Sequence, residues 1–157
     1  MVVSSSVYWT NWSIYSPPVA PPALSLMRAT ITTDIAKASG TSTITGWTEL
    51  VDTAGAFNPA TGVYTIPTGL SGYWTIAYNV NWATQSTRRM LQLEAPGGTI
   101  VARAEGAASG YSSLQISVDC LYLTEGQTIL PRAYAAAAAT IKGADAPASF
   151  SVRYLGS

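Results

Sequence analysis

The tightest constraint on this chain is an alternation in residues 72–83. Trp74, Ile76, Tyr78, Val80 and Trp82 take every second position, with Tyr73, Thr75, Ala77, Asn79 and Asn81 between them. Successive side chains of an extended strand point to opposite faces, so this spacing gathers five bulky apolar groups on one side. A helix would scatter them around its axis. A face of that kind is expected to build the core or, where a sheet surface is too apolar for water, to meet sister copies about a common axis.

The same period recurs in Met27-Ala29-Ile31, Arg89-Leu91-Leu93-Ala95, Ile100-Ala102-Ala104, Leu114-Ile116-Val118-Cys120-Tyr122 and Phe150-Val152-Tyr154. Turn chemistry separates these runs: Asn58-Pro59, Thr61-Gly62, residues 67–72, Pro96-Gly97-Gly98, residues 106–110, Glu125-Gly126 and residues 143–147. Many short strands with regular punctuation predict an all-β sandwich or barrel. The five alanines of residues 135–139 favour helix by propensity, but so short a helix is marginal in water. They are expected to form a strand end and a loop.

At 157 residues the chain has room for one domain with a real core. Residues 1–26 stand apart. They carry Tyr8, Trp9, Trp12 and Tyr15, then Pro17-Pro18 and Pro21-Pro22, and no charged side chain. Proline favours extended backbone, so this stretch reads as an arm, with residues 27–157 as the body. Exposed aromatic rings gain by burial, which predicts docking onto another subunit or another protein; the alternative is a first edge strand folded back on its own domain. Residues 1–6 have no positive charge and no long apolar run follows, so neither a cleaved leader nor a membrane span is expected.

Only 10% of residues are charged, against roughly 25% in an average soluble protein. Such a chain is expected to cover part of its exterior with partners or to present a neutral Ser, Thr, Asn and Gln surface. Eight basic and eight acidic residues cancel and are dispersed, Arg88-Arg89 being the one adjacent like pair. No basic stripe exists for phosphates or for an anionic membrane, so nucleic acid and membranes are not expected partners.

The chain contains no histidine, which removes the commonest general base and every Ser-His-Asp or Cys-His arrangement. One cysteine without histidine cannot build a structural zinc site, and no carboxylate cluster resembles a calcium set, so no metal or cofactor is expected. Cys120 falls in an apolar alternation and is expected to be a buried small hydrophobe. Among the carboxylates, Glu49 and Asp52 lie three apart in a strand and point to opposite faces. Asp119 falls on the strand face opposite Cys120, and Glu94 and Glu105 flank the turn at residues 96–98. Catalysis is not expected.

The order of these features resembles a known family. Asn58, Pro59, Thr61, Gly62, Tyr64 and Pro67, followed by Gly72-Tyr73-Trp74, are similar to the motif of the globular head of complement component one q, a family joined to the tumour necrosis factor fold. Residues 114–122, 123–128 and 148–152 follow in the family's order, so the resemblance spans about residues 27–157. It implies a roughly ten-stranded jelly roll that assembles as a homotrimer and binds other molecules without catalysis. The chain departs from animal members in lacking a collagen stalk and in carrying Gln127 where an Asp is common.

The resemblance is strongest to members of this fold on bacteriophage particles. It implies a virion structural protein, a capsid decoration or head-fibre trimer anchored to the major capsid or another virion protein through Tyr8, Trp9, Trp12 and Tyr15. The alternative is the receptor-binding tip of a tail fibre, recognising a host glycan or protein through the loop at residues 106–113 and a ring such as Tyr111. A third is a bacterial surface or spore-coat trimer. Synthesis in a cytoplasm and residence on a virion are the corresponding expectations.

Overall fold

The computed structural model describes residues 25–83, 87–106 and 112–157. Tyr8, Trp9, Trp12, Tyr15 and Tyr111 lie outside the described residues, as do residues 1–24 of the expected arm and most of the 106–113 loop.

The described residues form thirteen strands: β1 (Leu26–Ile31), β2 (Ile35–Lys37), β3 (Gly40–Thr43), β4 (Thr48–Asp52), β5 (Phe57–Asn58), β6 (Val63–Thr65), β7 (Gly72–Trp82), β8 (Arg89–Ala95), β9 (Thr99–Gly106), β10 (Ser112–Leu123), β11 (Thr128–Ala135), β12 (Ala139–Lys142) and β13 (Ala148–Gly156). The excess over the expected number comes from pieces of two to four residues such as β2, β3, β5, β6 and β12.

Two antiparallel sheets face each other. In the first, β7 pairs along its length with β10; on its other side it pairs first with β13 and then, at Asn81 and Trp82, with β12. From β13 the sheet continues through β1 to β4, and from β12 to β2. The second sheet runs β5, β6, β11, β8, β9, with β3 beside the far half of β11.

The alternations explain the core. Trp74, Ile76, Tyr78, Val80 and Trp82 of β7 point inward with Met27, Ala29 and Ile31 of β1 and Phe150, Val152 and Tyr154 of β13. They meet Leu91 and Leu93 of β8, and Ile129 and Ala133 of β11. Each large apolar side chain so enclosed contributes about 1.5–3 kcal/mol. Aromatic edges knit this layer: Phe150 stands 5.8 Å from both Trp47 and Phe57, and Trp74 4.9 Å from Tyr154. Tyr78 crosses between the sheets, its hydroxyl reaching the carbonyls of Gln92 at 2.7 Å and Arg132 at 2.9 Å.

The polyalanine run ends β11, passes through a bend and opens β12, as its strand neighbours predicted. Arg89 keeps the inward phase of Leu91 and Leu93, so its guanidinium is enclosed, 6.0 Å above the Trp82 ring and donating to Ala83 O at 3.2 Å. Cys120 is not buried. The alternation of β10 breaks in a bulge between Val118 and Leu121, Cys120 takes φ +58°, and its thiol is exposed. After the bulge the inward phase belongs to Leu121 and Leu123, and Tyr122 faces out.

Candidate interaction surface

The motif at residues 58–72 turns out to be scaffolding. Asn58 Oδ1 accepts from the amides of Ala60 at 3.1 Å and Thr61 at 3.2 Å, while its carbonyl accepts from Gly62 N at 2.8 Å. This closes the turn that Pro59 opens. Gly62 sits at φ +72°, and a Cβ there would lie 2.2 Å from Ile44 O. Only glycine allows this approach of the β5–β6 turn to the chain entering Trp47, whose Nε1 donates to the same carbonyl at 2.8 Å. Tyr64 is fully buried, its hydroxyl 2.8 Å from Ser25 Oγ, and burial pushes its phenol up to about 12. The carbonyl of Pro67 accepts from Leu70 N at 3.1 Å. Gly72 packs so closely on Gly156 that a Cβ would fall 2.3 Å from its carbonyl oxygen.

Trp74, Ile76, Tyr78, Val80 and Trp82 are likewise spent within the subunit, each no more than 1% exposed. They therefore serve the core, and the alternative use of this face, contact with sister copies, is ruled out because the second sheet already covers it. The second sheet leaves the opposite side of β7 uncovered.

Register shows what that opposite side contains. Across the first sheet, Gln115 of β10, Asn79 of β7, Ser149 of β13 and Thr30 of β1 form one row. Ser117, Ala77, Ser151 and Arg28 form the next. Thr75, Arg153 and Leu26 follow, and Tyr122 and Tyr73 end the series. Ser149 Oγ bonds Asn79 Oδ1, and Ser151 Oγ donates to Ala77 O at 3.4 Å, so part of the polarity is satisfied sideways within the sheet. The result is a face whose central side chains are small and neutral, closed at one end by an exposed aromatic pair. Tyr73 and Tyr122 meet edge to face at 5.3 Å and stay 46% and 55% exposed, with Leu155 exposed at the same end of β13. Charge on this face is carried by Arg28 and Arg153 on the β1–β13 side, by Lys142 of β12 opposite Asn81, and by Asp119 in the β10 bulge on the other side.

The outer face of the second sheet is built differently. Arg132 pairs with Glu94, and Arg88 grips Glu105 through two bonds, Nε to Oε1 at 2.5 Å and Nη2 to Oε2 at 2.9 Å. Arg103 on β9 adds a further cation opposite Gln92. The Arg88 guanidinium holds the Glu105 carboxyl below its usual range. Remaining charges clasp loops. Lys142 bonds Asp34, whose carboxylate also accepts from Gly143 N at 3.0 Å and Ala144 N at 3.3 Å and is held down to about 2 by these partners. Glu125 accepts from Gly69 N at 2.7 Å.

The carboxylates weighed for catalysis are thus dispersed. Glu94 and Glu105 sit in separate ion pairs, Asp52 caps its own loop by accepting from Phe57 N at 2.7 Å, and Glu49 and Asp119 stand on different strands. Among the described residues no three potential ligands converge on a metal position. A hollow of about 540 Å³ beside the β5–β6 hairpin is lined by Gly55, Ala56, Pro59 and their neighbours and by no ionisable group. What the sheets build is a surface.

No family model and no curated protein matches the sequence. Solved structures do. The globular domain of zebrafish complement 1qA superposes with a TM-score of 0.65 at 14% identity, over 83% of this chain and 96% of that one. Eiger TNF from S. frugiperda gives 0.67 at 10% identity, over 84% and 94%. PRD1 vertex protein P5 gives 0.59 at 12% identity, over 83% and 73%. At these identities the likeness is one of fold: the chain is an all-β two-sheet sandwich of the complement one q and tumour necrosis factor jelly-roll type.

Proposed function

We propose that the chain is a non-enzymatic structural module of a virion surface, assembled as a homotrimer through the outer face of its first sheet and acting as a capsid decoration or head fibre. The observation that carries this reading is the neutral face ending in Tyr73 and Tyr122. Burying it costs little, because its Ser, Ala, Thr and Asn side chains hold few charges to desolvate. Burying the two rings contributes about 2 kcal/mol each.

The flanks favour a closed ring. Asp119 on one side and Arg28 with Arg153 on the other make the two edges of the face complementary to each other and not to themselves, which suits a heterologous rotation about an axis. Similarity in fold to a viral vertex protein supports a particle setting, and residues 1–24, aromatic and uncharged, supply the attachment to further protein.

Native mass measurement tests the assembly. Three chains per particle are expected at micromolar concentration; a folded monomer would sink the proposal. Asp119→Arg should weaken the trimer and Asp119→Arg with Arg153→Asp should restore it. Copy number in electron micrographs of the parent particle tests the decoration role.

A further inference from the structure

The core loses its apolar character at one end, where β7 finishes and β8 and β10 begin. Two register rows face each other there. In the first sheet Trp82 of β7 lies between Ser112 of β10 and Ile141 of β12. In the second, Arg89 is the long side chain of a row otherwise made of Gly106, Ala135 and Gly40. It reaches across the interior until its guanidinium carbon stands 6.0 Å from the centre of the Trp82 ring, and both residues are fully enclosed.

Burial deprives polar groups of water, so buried N–H and O–H groups are nearly always bonded to something. Arg89 donates to Ala83 O at 3.2 Å. Trp82 Nε1, Ser112 Oγ and Thr87 Oγ1 are buried at the same end and have no hydrogen-bond partner. Register sets Ser112 beside Trp82, and Thr87 stands two residues before Arg89. An indole N–H can only donate, so whatever satisfies it is an acceptor, and the two hydroxyls can turn to donate as well. Burial also pulls the Arg89 guanidinium below its ordinary pKa, a shift that a negative charge beside it opposes.

We infer that one small monovalent anion binds between these two rows, taking hydrogen bonds from Trp82 Nε1, Ser112 Oγ and Thr87 Oγ1 and its counter-charge from Arg89. One positive charge balances one negative charge. Sheets stacked about 10 Å apart, already holding an indole and a guanidinium between them, admit an ion of halide size and no larger group. Such an ion bonds to β7 and β10 in one sheet and faces the charge of β8 in the other, so it ties the two layers together at this end. It acts within one subunit and is independent of assembly. An ion that binds only the folded chain stabilises it in proportion to its own concentration.

The test uses the full chain exchanged into sodium gluconate, whose anion is too large for the site, with chloride added at constant ionic strength. Chlorine NMR linewidth reads binding directly, and the melting midpoint reads its effect on the fold. Saturable broadening that bromide reverses is expected, with a midpoint that rises over the same concentration range. Ser112→Ala removes one donor and little volume, and should raise the half-saturating concentration about fivefold, the loss of one hydrogen bond. Trp82→Phe keeps an aromatic ring without the N–H and should act in the same direction. Broadening that is absent or never saturates, a midpoint that rises equally in gluconate, or half-saturation unmoved in both variants would overturn the inference and leave ordinary water as the partner of these donors.

Discussion

The two outer faces of this sandwich are made of the same extended backbone and yet solve opposite problems. On the second sheet, long side chains meet in ion pairs, Arg132 with Glu94 and Arg88 with Glu105. On the first sheet the corresponding positions hold Ala77, Ser117, Ser151, Asn79 and Thr75, with two tyrosines at one end. The charges are therefore arranged differently, paired across neighbouring strands on one face and set around small neutral residues on the other. One layer is suited to stay wet and the other to be covered.

A single large charge in the neutral face should break the contrast most completely. Ala77→Arg places a guanidinium at the middle of the Ser117-Ala77-Ser151 row, where a packed interface would leave it unpaired. Native mass should fall from trimer to monomer while the far-ultraviolet spectrum and melting midpoint of the subunit persist. A trimer that tolerates the arginine would place the interface elsewhere. Replacing the rings by Tyr73→Ser with Tyr122→Ser should weaken association by about 4 kcal/mol per subunit contact, read from the concentration at which trimers dissociate.

Changes on the second sheet should do the converse. Glu94→Gln leaves Arg132 half enclosed beside a neutral partner and should lower subunit stability by about 1 kcal/mol, measured by urea unfolding, with oligomeric mass unchanged. Arg88→Ala removes a solvent-exposed pair and should shift neither readout measurably.

Acid probes the loop clasp at Asp34. The Asp34 carboxyl titrates near 2 in the fold against 3.8 when unperturbed, because Lys142 and two amides favour its charged form. Its stabilisation is present above about pH 4 and is lost as pH falls through about 2. Asp34→Asn should flatten stability over that interval, as followed by thermal unfolding.

Much of this architecture was legible in advance. A period of two with bulky residues can mean only a half-buried strand, and β7 formed where Trp74 to Trp82 alternate. The Asn58-Pro59-Ala60-Thr61-Gly62 turn was legible because each residue has a local reason for its place. Cys120 was not. Leu114, Ile116, Val118, Cys120 and Tyr122 continue the pattern unbroken on paper, and nothing local announces the bulge that turns the last two outward. Ion pairs were hidden by separation, 38 residues for Glu94 with Arg132 and 108 for Asp34 with Lys142. The neutral face was hidden for another reason: Ser, Ala, Thr and Asn carry no hydrophobic signal, whereas the apolar side of β7, which the core consumes, carries a strong one. Only register assembles small residues from four strands into one plane.

Tyr78 carries a consequence of its own. Its single hydroxyl hydrogen is shared between carbonyls of neighbouring strands in the opposing sheet, and burial raises the phenol above its ordinary value near 10, further than Tyr64. An ionised phenolate would turn that bond into repulsion between three oxygens. In base the unfolded chain can release this proton while the folded one cannot, so stability present below about pH 10 drains away above it. The sandwich should therefore part in alkali as a unit, with the absorbance of these two phenolates appearing only as the layers separate; Tyr78→Phe, less stable at neutral pH, should show a weaker dependence on base.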